Sequence, residues 1–206
     1  MHGLQHLVVS QNSLDGTIPT ELGSLSNMTS LSVRNNGITG TLPGQIFTPA
    51  LQSVLVGNNH LSGSIPLELF TVSRSLTNVD LKSNGLIGTI PPGLSALKSL
   101  KMLSLGQNDF TGTLPGTIFN SALDAFDVGV NNIHGPIPDG LFDAKSLKFL
   151  NLGANALTGT ISERFDELGE MAYLLFWVNQ LSGTVPSSLG NLFDMGKFFW
   201  CKGHDF

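Results

Sequence analysis

Few side chains in this 206-residue sequence are placed to do chemistry. The strongest pair is Asp80 and Asp127, two carboxylates that occupy the same position in two copies of a repeating pattern. Copies two apart in a stacked sheet lie about 10 Å from one another, near the upper end of the carboxylate spacing of an inverting glycosidase. That chemistry also needs a pocket that raises one pKa and excludes water. An open sheet supplies none, so both residues are expected to be surface charges. The histidines, at positions 2, 6, 60, 134 and 204, lack metal-ligand spacing. Cys201 is the single cysteine, has no motif partner and excludes a disulfide within the chain. The glycines recur with the repeat and do not form a phosphate-cradling loop. No catalytic residue, cofactor or metal site is assigned, and the chain is expected not to be an enzyme.

The elements that would carry these residues follow from one pattern. Its clearest copy runs Leu100-x-x-Leu103-x-Leu105-x-x-Asn108-x-Phe110-x-Gly112-x-Leu114-Pro115. Copies start at Leu4, Met28, Leu51, Leu76, Leu100, Leu123, Leu147 and Met171, with a partial copy from Met195. A period of 23–25 residues is that of a solenoid, so residues 1–206 are expected to form a single repeat domain. Apolar residues two apart in each copy have strand periodicity, with the intervening side chains pointing outward. An asparagine follows each strand, at Asn12, Asn36, Asn59, Asn84, Asn108, Asn131, Asn155 and Asn179. There the chain turns and frees backbone N–H and C=O groups, and an inward amide can bond both kinds. These residues are predicted to stack as a structural ladder. A glycine four residues later implies a backbone conformation or close approach that excludes Cβ. Proline then ends the extended segment in every complete copy except at Ser162. The return leg is too short for a long helix and predicts short 3₁₀ turns.

The form Leu-x-x-Leu-x-Leu-x-x-Asn-x-Leu-x-Gly-x-Ile-Pro resembles the plant-type leucine-rich repeat. That repeat occurs in the extracellular regions of receptor-like kinases and receptor-like proteins and in polygalacturonase-inhibiting proteins. The resemblance covers Leu4 to about Phe199. It implies an α/β solenoid, a right-handed superhelical horseshoe with a parallel β-sheet on the concave face and short 3₁₀ or irregular segments on the convex one. It also implies a non-catalytic recognition module for a protein or peptide ligand, with a co-receptor as a further partner, in the extracellular part of a signalling receptor. A secreted inhibitor of the polygalacturonase-inhibitor type and an intracellular scaffold are the alternatives. Any kinase or membrane span would lie outside this chain. Family members carry cysteine-paired caps, and neither end shows one here, so the sequence reads as a fragment.

Within this frame the outward residues form rows. Arg34, Asp80, Lys82, Lys101 and Asp127 are expected to line a shallow polar track on the concave face. Phe149, Tyr173, Leu175, Trp177 and Phe199 are expected to form an aromatic patch, the kind of exposed cluster that marks partner sites. A second row is Thr17, Thr41, Ser64, Thr89, Thr113, Pro136, Thr160 and Thr184. Its hydroxyls could order water as in ice-binding solenoids, but the stronger reading is structural, since threonine suits a short extended segment and cross-strand threonine pairs are stabilising. Asn27-Met28-Thr29 is a glycosylation sequon on an inter-repeat loop. The net charge of −5 gives no basic field for nucleic acid. No apolar run approaches the ~20 residues of a membrane span.

Overall fold

Alternating side chains commit each repeat to a short strand. The computed structural model describes residues 3–195 and places eight three-residue strands in one parallel sheet, in sequence order. The register pairs His6 with Ser30, Ser53, Asn78, Met102, Ala125, Phe149 and Tyr173 in succession. These pairings reproduce the spacing of the sequence copies. The inward residues Leu31, Val54, Val79, Leu103, Phe126 and Leu150 are fully buried and stack into one continuous core. The partial copy from Met195, with its expected patch residue Phe199 and the lone Cys201, falls almost wholly outside the described residues.

The return legs are 3₁₀ turns at Thr20–Ser24, Gly44–Ile46, Pro92–Ala96, Gly116–Ile118, Asp139–Asp143, Glu163–Glu167 and Ser187–Met195. A single α turn, Glu68–Thr71, replaces one of them. Proline sets the extended backbone before most of these turns. Ser162, the exception, instead caps its turn by accepting the Arg164 N–H at 3.2 Å.

The asparagines stitch repeats together. Asn108 Oδ1 accepts the Leu86 N–H of the preceding repeat at 3.0 Å. Its Nδ2 donates to the carbonyls of Leu81 at 3.0 Å, Leu105 at 3.0 Å and Gly106 at 3.2 Å. Asn36, Asn59, Asn84, Asn131, Asn155 and Asn179 likewise accept an N–H from the preceding repeat. Asn12, in the first repeat, donates only to its own Val9 and Ser10 carbonyls.

Two features of the turn were not visible in the sequence. The residue before each ladder asparagine has a positive φ, between 48° and 59°, although it is Gln, Asn, Ser, Val or Ala. Such a conformation costs roughly 1–2 kcal/mol for an L-residue, and the asparagine bonds around it hold it in place. Beyond the ladder the chain forms a second, minor set of parallel strands, Ser62–Gly63 with Gly85–Thr89 and Asp109–Thr111, and His134–Pro136 with Ala156–Thr158. There Gly40 and Gly112 have φ near +80°, and a Cβ on either would lie 2.9 Å from a threonine methyl of the previous repeat. The threonine row is thus built into the stacking, its methyls seated on glycines.

Replacing Asn108 with alanine strands the buried Leu86 N–H and removes one of two donors from the carbonyls of Leu81, Leu105 and Gly106, which keep Asn84, Asn131 and Ser83. The expected cost is about 3 kcal/mol, roughly 10 °C in Tm. Asn12→Ala, which breaks no bond between repeats, is expected to cost under ~1 kcal/mol. Thermal melts of the two variants check this; equal losses would contradict the ladder's role.

Candidate functional site

The outward residues of the concave sheet meet solvent in rows about 4.8 Å apart. Asp80 and Asp127 do not lie on that surface as expected. They are 6% and 8% exposed. The reason is a glycine in the repeat before each of them. A Cβ on Gly57 would lie 2.8 Å from Asp80 Oδ2, and one on Gly106 would lie 2.9 Å from Asp127 Oδ1. Each carboxylate therefore folds back into a recess that any larger residue would fill. Asn151 lies over Gly129 and the Trp177 indole over Gly153 in the same way.

Recessed carboxylates need partners. Asp80 accepts the Lys82 N–H at 3.0 Å and pairs with the Arg34 guanidinium, which reaches forward from two repeats earlier. Asp127 accepts the Gly129 N–H at 3.0 Å, and Lys82 Nζ lies 3.7 Å away, again from two repeats earlier. Burial pushes the Asp127 carboxyl above its ordinary range, against the opposing pull of the Gly129 N–H, Lys82 and Asn151. Two acids committed in this way are structural anchors for the cations above them. Arg34 and Lys82 keep 35% and 44% of their side chains exposed. Lys101 is exposed just before the strand of the fifth repeat.

The expected aromatic patch is present in its described part. The rings of Phe149 and Tyr173 lie 6.0 Å apart at 50°. Tyr173 and Trp177 are each 37% exposed, while Phe149 and Leu175 are half-buried beside them. Tyr173 and Phe149 are direct neighbours in the sheet register, as are Leu175 and Asn151. Away from this face, Asn27 is exposed on the turn between the first two repeats, and the Thr29 hydroxyl of the sequon donates to the Gln5 carbonyl at 3.2 Å. Among the described residues, no group of three or more His, Cys, Asp or Glu could hold a metal ion, and no helix is long and apolar enough to cross a membrane.

The Leucine Rich Repeat family profile matches residues 3–25, 75–97 and 99–121. Over its concave sheet and turns the chain superposes on the Arabidopsis receptor kinase HAESA, solved in complex with the peptide hormone IDA and the co-receptor SERK1. That match has a TM-score of 0.87 at 31% identity, covering 92% of this chain and 32% of the other. Pollen Receptor Kinase 3 matches with a TM-score of 0.64 at 34% identity, covering 70% of this chain and 71% of the solved one. The chain belongs to the plant leucine-rich-repeat family. Among characterised relatives, Receptor-like protein 31 of Arabidopsis thaliana is 31% identical over 117 residues, which are 56% of this chain and 11% of that protein. This leucine-rich-repeat chain thus spans about a tenth of that relative's length.

Sequence reasoning found the rows of this repeat protein but missed the recesses. The signal was present as a glycine followed 21–24 residues later by a large polar or aromatic residue: Gly57 and Asp80, Gly106 and Asp127, Gly129 and Asn151, Gly153 and Trp177.

Because burial raises the folded Asp127 value above the unfolded one, the folded state binds the extra proton in the window above 3.8. Stability therefore falls as pH rises through that window. Asp127→Asn removes the buried charge and keeps the acceptor for Gly129, as Asn151 does for the Gly153 N–H at 3.0 Å. The variant is expected to melt at or above the wild-type temperature at pH 7, with the difference closing as pH drops through the window. Thermal melts at pH 7 and pH 4 check this. A variant melting several degrees lower at pH 7 would show that the Lys82 attraction outweighs the cost of burial.

Proposed function

We propose that this chain is a non-catalytic ligand-recognition region of a plant extracellular receptor-like protein or receptor-like kinase, and that it binds a peptide or protein segment along its concave face. The observation that carries this reading is the arrangement on that face: half-exposed Phe149, Tyr173, Leu175 and Trp177 at one end, and Arg34 and Lys82 held above recessed carboxylates along the rest. The HAESA likeness supports it, since that protein was solved with a peptide hormone and a co-receptor. A co-receptor on a neighbouring edge is part of the same reading. The Asn27 sequon on an exposed turn is compatible with an extracellular setting.

The physical basis is preorganisation. The outward side chains stand on, or just beyond, the strands of one continuous parallel sheet, so a ligand meets rows that need little ordering on binding. Aromatic side chains in the patch would supply the largest contact area and are the expected hot spots. The acidic residues that might have suggested hydrolysis are committed to the fold.

Titration of a panel of synthetic secreted plant signalling peptides tests the reading. At least one peptide is expected to bind, and Trp177→Ala, at a partly exposed position, is expected to weaken it by about 2 kcal/mol, roughly thirtyfold, with an unchanged circular-dichroism melt. Peptides that bind wild type and Trp177→Ala equally would remove the concave patch from the function.

A further inference from the structure

Three side-chain groups on the concave face share one placement. The Arg34–Asp80 pair sits at Gly57 in the third repeat, the Lys82–Asp127 pair sits at Gly106 in the fifth, and the Trp177 indole sits over Gly153 in the seventh. Each follows the previous one by two repeats along a single row. The order is cation, cation, indole, separated by two sheet spacings, about 9.6 Å each.

The charge that a ligand would meet here differs from that of the whole chain. The net charge is −5. Yet the outward rows of the described concave strands carry no exposed carboxylate: Asp80 and Asp127 are recessed, and the other positions are neutral or basic. The cations, by contrast, keep a third or more of their surface exposed. This row therefore presents positive charge outward, with its negative charge beneath.

We propose that this row reads an acidic, extended peptide that carries two carboxylate side chains and one aromatic side chain at three-residue intervals, the aromatic at one end. The proposal rests on the concave-face recognition reading above. The match is one of pitch. A polyproline-II strand makes one turn in three residues and advances about 9.3 Å per turn. Side chains at i, i+3 and i+6 on such a strand all face one way, at nearly the spacing of Gly57, Gly106 and Gly153. A β-strand ligand, with same-face side chains about 6.8 Å apart, would fall out of step after one contact. Each acid would complete a carboxylate–cation–carboxylate stack with Asp80 or Asp127, and the aromatic ring would lie on the Trp177 indole.

Panning a random dodecapeptide phage library on the 206-residue chain tests this, because displayed peptides have no free C-terminal carboxylate. The expected selection is acid-x-x-acid-x-x-aromatic or its reverse. A synthetic, end-blocked peptide of that form should weaken about two- to fivefold for each Glu→Gln change, and similarly when the two acids are moved to a two-residue spacing. With the Arg34→Gln, Lys82→Gln double variant, the Glu and Gln peptides should bind alike. Selected peptides that depend on Trp177 but lack acids, or carry them at no fixed spacing, would overturn this proposal and leave concave-face recognition standing. Recovery of no peptide that is sensitive to Trp177→Ala or Tyr173→Ala would overturn both.

Discussion

Every repeat in this chain has to solve the same hydrogen-bonding problem. Where the chain leaves the concave strand, backbone groups point into a core that offers no water. One asparagine amide answers it. Asn108 joins an N–H and a carbonyl of the previous repeat to two carbonyls of its own. Because the amide bonds backward, each repeat is fixed in translation and rotation relative to its neighbour. The uniform sheet register depends on that link, and a positive-φ residue stands before each asparagine. The apolar core alone would tolerate small slips between copies, since burial is not directional.

That rigidity turns sequence columns into surface rows, and glycine then controls their depth. Where the row holds glycine, a side chain from the next repeat can fold back onto the sheet. Asp80, Asp127, Asn151 and Trp177 all do so. The two acids become buried anchors, and the cations that pair with them become the exposed layer. A stack of near-identical repeats thus acquires a face that varies along its length, from ion pairs to aromatic rings, without a change in backbone.

The parts of this structure that were legible in the sequence are those repeated within it. The copies from Leu4 to Met171 predict the strand pairing residue for residue, and the asparagine, glycine and proline positions predict where the backbone turns. Residues that interact across repeats were harder to read. Asp80 appears as a surface charge when its column is read alone, and its burial depends on Gly57, 23 residues earlier. The left-handed residues Val130 and Val178 carry no local signal, since valine disfavours that conformation and adopts it only because the neighbouring asparagine bonds require it. Tyr173 and Trp177 were recognisable as a patch because both face outward from one strand and its exit.

The account depends most on the recesses, and Gly153 offers the most direct view of one. In a Trp200→Phe background, Trp177 is the only tryptophan, and its indole occupies the space that a Cβ on residue 153 would take. Adding Gly153→Ala should push the ring off the sheet. The account predicts a red-shifted fluorescence emission and easier quenching by iodide, with little change in Tm. Emission and quenching identical to the Gly153 parent would mean that the indole does not rest in the recess, and the glycine-set depth of the concave face would be wrong.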